Sequence, residues 1–406
     1  MVVDMSLNTE QKKLNLLIIG TGMYVCGRST KGYGTVLPAV MQQYQAGTID
    51  RVLVASKSAE SFAIFDAKLG ELQELMGIEM PCVRYPMGNC TDGNAYREAI
   101  ANLPDPGAVI ITTPDHLHTE MALAAIASGK HVLVVKPLSP TVADAEQTIQ
   151  AAEKYGVYGA VEFHKRWDLA NLKLRQAIAD GSIGDPLYFH VEFSQRKIIP
   201  SETFSAWVAD TNIFQYLGVH YADLIYFVTQ ALPRRIVATG QKNWLSQRGI
   251  SSYDAIQVLI EWSQGFTSTI LTNWIDPNCN GAMSQQKIEA IGTAGRFESD
   301  QTKRGVQTIT DLGGIEDINP YFCQPYRRLD SEYTEYRGYG IDSITQFLKD
   351  VASIVEGNNS PADFEGRRPT FRDALVSTAL VEGARLSLEN DSQWVYFTEK
   401  FHPYLK

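Results

Sequence analysis

Residues 131–137 read His-Val-Leu-Val-Val-Lys-Pro, HVLVVKP. Four apolar residues in succession fit a strand covered on both faces, as in parallel sheets. A lysine and a proline follow at once. A cation at the tip of a buried strand is costly to desolvate unless something uses it. Just upstream, GAVIITT (107–113) is another apolar run, and HTEMALAAIASG (118–129) is a helical pattern closed by Gly129. The unit reads strand, helix, strand.

The same alternation continues on both sides. LNLLIIG (14–20), RVLVA (51–55) and VYGAVEF (157–163) are further apolar runs, and TVADAEQTIQAAEKYG (141–156) is a helix pattern ending at Gly156. Apolar strands alternating with helices predict an α/β fold, a doubly wound Rossmann parallel sheet over residues 1–165. After about residue 165 the texture changes. LYFHVEFSQRK (187–197), RRIVATGQKNWL (234–245), YDAIQVLIEW (253–262), FTSTILTNWI (266–275) and QKIEAIGTAGRFES (286–299) alternate apolar and polar residues. That period predicts strands with one wet face. A C-terminal α+β domain with a large, mostly antiparallel open sheet is therefore expected over 166–406. TAG at 293–295 reads as a tight turn. Helices are expected at 168–181, about 214–230, about 341–356 and near 370–389. The last is a candidate to pack back on the first domain. Residues 301–340 are polar and aromatic-rich and carry no assignment.

The chain has 406 residues, 44% hydrophobic and 20% charged, enough for two cores. Its net charge is −10, with no run of Lys/Arg, which argues against a nucleic-acid surface. Five cysteines, odd in number and without a CxxC pair, read as free thiols of a reducing cytoplasm. The N-terminus has no apolar signal core, and no apolar run approaches the ~20 residues of a membrane span. A cytoplasmic protein is expected.

GTGMYVCG (20–27) follows the first strand. Gly20 and Gly22, with Thr21 and Met23, stand where a dinucleotide fingerprint has its first two glycines. The third position is Val25, and the following RSTKGYGTVLPAV is too long for a plain helix start. A structural turn is the alternative reading. The second strand ends in Ser56-Lys57-Ser58 rather than in the acid that holds a ribose diol. A hydroxyl and a cation suit a 2′-phosphate, which favours NADP over NAD. Otherwise Lys57 is a solvated loop lysine.

Together these motifs resemble the glucose–fructose oxidoreductase / inositol dehydrogenase / rhizopine catabolism (Gfo/Idh/MocA) family. Four segments carry the resemblance: GTG (20–22), TTPDHLHTEMALAAIASGKHVLVVKP (112–137), HKRWDLANLKLRQAIADGSIGDP (164–186) and YLGVHYADL (216–224). The second is the most specific. Two departures stand out. Val135 precedes Lys136 where the family has Glu, and Tyr216 stands four residues before His220 where the family tends to have Asp.

The resemblance implies an NAD(P)-dependent oxidoreductase of sugars, polyols or related compounds, forming a homodimer or homotetramer through the C-terminal sheet. It implies that Lys136 holds the reacting substrate oxygen near the cofactor and that His220 moves the proton. Ligands of open parallel sheets sit beyond the carboxyl ends of the strands, where Lys136 lies, and a cation there stabilises alkoxide character. Histidine is suited to proton transfer near neutral pH. Tyr216, four residues from His220, would share its helix face and could pass a proton, orient the substrate or pack. Asp223 either orients the ring or joins an unrelated salt bridge. Thr113, Pro114 and His118 match the family's cofactor loop, and Asp115 reads as a helix N-cap. His116, His118 and His131 lack metal-ligand spacing, and no metal is expected. Glu162, His164, Lys165 and Arg166 follow the fifth strand. Lys165 is the candidate for substrate hydroxyls, and Arg166 for tying the domains together, unless the stretch is a charged hinge surface. Trp207, Asn212 and Gln215 could line the substrate pocket. Two other functions fit the motifs: a glycoside hydrolase that uses bound NAD(P) transiently, and a non-catalytic NADP-binding sensor.

Overall fold

The computed structural model describes residues 12–88 and 90–406. Six strands, β1 (Leu14–Ile19), β2 (Ile49–Ala55), β3 (Cys82–Tyr85), β4 (Gly107–Ile111), β5 (His131–Val135) and β6 (Gly159–Glu162), form one sheet in the order β3-β2-β1-β4-β5-β6. Every neighbouring pair in it is parallel. The order reverses between β1 and β4, and a ligand crevice opens there beyond the strand ends. β3 escaped the sequence reading because CVRY is short and only its last residue, Tyr85, is buried.

Helices cover both faces. The intervening segments form α1 (Met23–Cys26), α2 (Val36–Gln45), α3 (Ser61–Met76), α4 (Ala95–Ala101), α5 (His118–Ala127) and α6 (Val142–Tyr155). α6 begins at Thr141, whose side chain accepts the Asp144 N–H, and stops at Gly156 in the left-handed conformation. Leu16, Ile18 and Val54 pack with Val40 and Phe65 on one face, and Leu17, Val109 and Val134 with Ile126 and Ile149 on the other.

The second sheet is built by β7 (Pro186–Arg196), β8 (Pro233–Gln241), β9 (Ala255–Trp262), β10 (Thr267–Asp276), β11 (Ser284–Gly292) and β12 (Arg296–Asp300). β7 and β10 run parallel; the other pairs among these strands are antiparallel. Helices α7 (Leu169–Ala179) and α8 (Val219–Thr229) cover one face, where Phe189, Val258, Ile270 and Trp274 meet Leu174, Tyr221 and Leu224. Residues 301–340, unassigned from sequence, hold two hairpins, β13 (Gln307–Thr310) with β14 (Gly314–Asp317) and β15 (Gln324–Arg327) with β16 (Thr334–Arg337).

The chain then crosses back. α9 (Tyr339–Val355) lays Ile341, Ile344, Phe347 and Leu348 into the core of the first sheet. α10 (Leu375–Glu389) puts Val381 into the first sheet's core and Leu380 and Ala384 into the second's. The chain leaves the first sheet after β6, and about half of α9 returns to that sheet's core. β17 (Val395–Phe397) and β18 (Pro403–Leu405) extend the second sheet at its β8 edge, giving it eight strands.

Candidate active site

The turn after β1 is shaped by two glycines with different duties. Gly20 has φ +114°, and a Cβ there would collide with the Thr112 side chain on β4's end. Thr112 itself donates from Oγ1 to the Ile19 carbonyl at 2.8 Å. Gly22 is N-cap to α1, and an added Cβ would meet nothing within 4 Å. The backbone therefore offers an open approach at the end of the sheet, with free N–H groups at the start of the following turn. This cradle fits the pyrophosphate of a dinucleotide. The stretch expected to be too long for a helix start, RSTKGYGTVLPAV, follows the short α1 as a loop over 27–35 that runs into α2. Gly27 turns it in the left-handed region, and Thr35 N–H donates to the Tyr24 carbonyl at 2.7 Å.

Thr21 Oγ1 donates to Ser56 Oγ at 3.4 Å, joining the glycine turn to the tip of β2. Lys57 is exposed at that tip. From the loop, Arg28 Nη1 reaches Ser61 Oγ at 3.4 Å, at the start of α3. Arg28 was not singled out in the sequence, since only the loop's folding carries it beside β2. Two cations and three hydroxyls thus stand in the region of the β2 tip.

Lys136 sits at the end of β5, followed by a cis Lys136–Pro137 bond, and is 9% exposed. Its ammonium donates to the Tyr216 carbonyl and lies 3.9 Å from the Tyr216 ring centroid. Burial pushes its pKa down to about 8, while the Asp115 and Glu162 carboxylates pull it upward. These two acids stand near the lysine although Val135 and Tyr216 carry none. Glu162 is the ladder partner of Val135 on the adjacent strand.

His220 is 4% exposed at the start of α8, and its Nδ1 has no hydrogen-bond partner. Burial drives its pKa well down, and Lys136, His164 and Lys165 push in the same direction. The His164 ring lies 4.7 Å from it, centroid to centroid. Tyr216 belongs to a wider π turn over Phe214–Gly218, so the four-residue spacing to His220 does not follow regular helix phase. Its carbonyl and ring face meet Lys136, and the ring packs among Phe204, Trp207 and Trp274. Burial raises its hydroxyl pKa.

Other expected residues lie differently. Asp115 makes no side-chain cap to the turn it opens. Its Oδ2 instead accepts from Thr211 Oγ1 at 3.0 Å and Gln215 Nε2 at 2.5 Å, fastening the loop after β4 to the segment before α8. His118 has its two ring nitrogens 2.8 Å from the carbonyls of Pro137 and Thr113, pinning the tips of β5 and β4 together. Pro114 lies between Thr113 and that turn, and Asn212 Oδ1 accepts the Gln215 N–H. Lys165 is turned inward. Its ammonium donates to Gln286 (2.6 Å), Gln301 (3.1 Å) and Tyr221 (3.3 Å), and burial lowers its pKa to about 7. The structure gives it protein partners rather than a place facing the crevice. Arg166 bridges Asp223 and Asp373, so Asp223 is a salt-bridge partner and not a neighbour of the His220 ring nitrogen. Among the described residues no group of His, Cys, Asp and Glu could hold a metal, all five cysteines are free, and no helix is long and apolar enough to cross a membrane.

A glycine turn on a doubly wound sheet, with a lysine at one strand tip and a buried histidine from the second domain, defines a nicotinamide-dinucleotide oxidoreductase fold. The chain belongs to the GFO/IDH/MocA oxidoreductase family. Residues 14–163 match its "Oxidoreductase family, NAD-binding Rossmann fold" description, and residues 171–298 match its "C-terminal domain". The chain is 34% identical over 161 residues to 1,5-anhydro-D-fructose reductase of Ensifer adhaerens, covering 38% of this chain and 46% of that protein. It is 24% identical over 300 residues to myo-inositol 2-dehydrogenase of Thermotoga maritima, covering 72% of this chain and 80% of that one. The match thus spans about half the length of the first relative and four-fifths of the second. In fold it is similar to scyllo-inositol dehydrogenase of Lactobacillus casei with bound NAD(H) and scyllo-inositol, with TM-score 0.66 and 17% identity over 95% of this chain and 99% of that one.

Proposed function

We propose that this chain is an NAD(P)-dependent dehydrogenase or reductase acting on a CH–OH group of a sugar, polyol or related small compound, with a preference for NADP. The observation that carries the reading is the placement of Lys136 and His220 together at the carboxyl end of the parallel sheet. The relatives named as reductase and dehydrogenases of anhydrofructose and inositols support the substrate class.

A bound nicotinamide ring supplies the site that accepts or returns hydride. The chain's own residues do the rest. Lys136 holds the substrate oxygen and stabilises the charge that develops as its proton leaves. His220, kept neutral by burial and by neighbouring cations, takes that proton in oxidation and returns it in reduction. Tyr216 fixes the ammonium from its carbonyl and ring face, and with Trp207 gives the pocket an aromatic wall. The preference for NADP rests on Ser56, Lys57 and Arg28 at the tip of β2, where Ser56 and Lys57 stand in place of the strand-end acid that holds a ribose diol. The outer face of the second sheet carries Val237, Leu259, Leu271 and Ile291, only half-buried, and we assign it to a second copy of the chain.

Fluorescence titration with NADPH and NADH, for the native chain and for Lys57→Ala and Arg28→Ala, tests the cofactor. NADPH should bind more tightly, and each variant should narrow the gap. A turnover screen of sugars and polyols with NADP then tests the reaction. Tight binding without net turnover would turn the reading towards a cofactor-holding protein. Light scattering on a sizing column reads the oligomer.

A further inference from the structure

One cluster near the site has no part in the mechanism above. Glu162 ends β6, is 2% exposed, and accepts a hydrogen bond from Ser343 Oγ of α9 at 2.6 Å. Two residues on, His164 Nδ1 lies 3.1 Å from Glu162 Oε2. The same nitrogen is 3.4 Å from the Tyr24 hydroxyl on α1. Phe322 (5.1 Å) and Tyr339 (5.6 Å) pack against the His164 ring, which lies 4.7 Å from that of His220. The imidazole is therefore gripped from α1, β6, α9 and the 301–340 segment, and its remaining neighbour is the proton-transfer histidine. Burying an ionised acid is costly unless it is paired, and Ser343 and His164 lie against the Glu162 carboxylate.

We propose that His164, anchored by Glu162, is a positioning residue for His220: it holds the His220 ring in place and, as an imidazolium paired with the carboxylate, keeps it in its neutral, proton-accepting form. Two imidazolium rings at this separation repel strongly inside a protein, whereas one charged and one neutral ring do not. The proton that His220 takes from substrate is then held weakly and passes on readily. The charged and titratable groups around the pair are few. His220 faces Lys136 from β5 and Lys165 and His164 from the segment after β6. His164 faces Glu162, Tyr24, Tyr339 and His220. Glu162 is the carboxylate in direct contact with His164. The inference rests on the proton-transfer role given to His220 above.

Histidine-ring NMR on the protein without cofactor tests it independently of turnover. There are 7 histidines, so His220 and His164 can be assigned by single substitution. The ring shifts of His164 at pH 7 should be those of an imidazolium, and in Glu162→Gln those of a neutral ring. In His164→Asn the His220 midpoint should rise by about one pH unit or more. The acid limb of kcat/KM for oxidation should move up with it. A neutral His164 in the native protein, or a His220 midpoint unmoved in His164→Asn, overturns the proposal. If His164→Asn does not fold, Glu162→Gln decides, since it keeps the shape and removes the charge. No turnover on any CH–OH compound, with the NMR shifts as expected, would refute the dehydrogenase reading and leave the pairing standing.

Discussion

Replacing Arg166 by methionine removes the centre of a buried ionic triad. Arg166 donates from Nε and Nη2 to the Asp223 carboxylate at 2.8 and 2.5 Å, and from Nη1 to Asp373 at 2.5 Å. The three side chains are 6%, 2% and 8% exposed. Screening by solvent is therefore slight, and the variant strands two carboxylates facing one another. Breaking a buried pair by removing one partner costs about 3–5 kcal/mol. Unfolding entropy of about 2.1 cal/mol/K per residue, taken over the whole chain, turns that into a melting point lower by roughly 4–6 °C. The pH dependence follows from the sign. Burial pushes the Asp223 carboxyl up, and Arg166 pulls it back down. Without the arginine it rises further, so the folded variant binds a proton that the unfolded chain releases. Its stability then falls as pH rises through that higher value, and the gap to the native protein narrows in acid. Differential scanning calorimetry at neutral and mildly acid pH checks both statements. A melting point within 1 °C of native at neutral pH, or a gap that widens in acid, would refute the reasoning.

Further outcomes follow from the site. Lys136→Met should lower kcat by about a hundredfold to a thousandfold with folding intact by circular dichroism. Burial pushes the Lys136 pKa down to about 8, and its cation is lost as pH rises through that value, so kcat/KM should fall on the alkaline side there. Gly20→Ala should destabilise the protein, since its φ is +114° and Thr112 blocks the added carbon. Gly22→Ala should leave the melting point nearly unchanged and weaken dinucleotide binding, because the added methyl enters only the cradle. Calorimetry and cofactor titration separate the two.

Five strands of the first sheet were legible because they are largely buried on both faces and read as apolar runs; β3 was not. HVLVV alone located β5 and the lysine at its tip. Antiparallel strands were legible by their alternation, down to the turn at 293–295 between β11 and β12. The parallel pairing of β7 with β10 was not, because period two reports which face is wet and not strand direction. The site divided in the same way. Lys136 follows β5, the glycine turn follows β1 and His220 lies at the start of α8, positions that local pattern can suggest. Lys165 turned inward because partners more than a hundred residues away, Gln286 and Gln301, offer its ammonium oxygen atoms. His164 was visible as a residue, but its neighbours come from four separate stretches of chain, and no local signal assembles them.

The return of α9 has a bearing on how the molecule is born. A ribosome adds roughly 5–20 residues per second, and β6 emerges long before α9 does. During that interval the nascent first sheet lacks the side chains of Ile344, Phe347 and Leu348, and its apolar flank is open to solvent and chaperones. A gene fragment ending after β6 would inherit that open flank permanently. Truncation at the apparent domain border should yield an aggregating product, and an independent N-terminal half would need α9 supplied in trans.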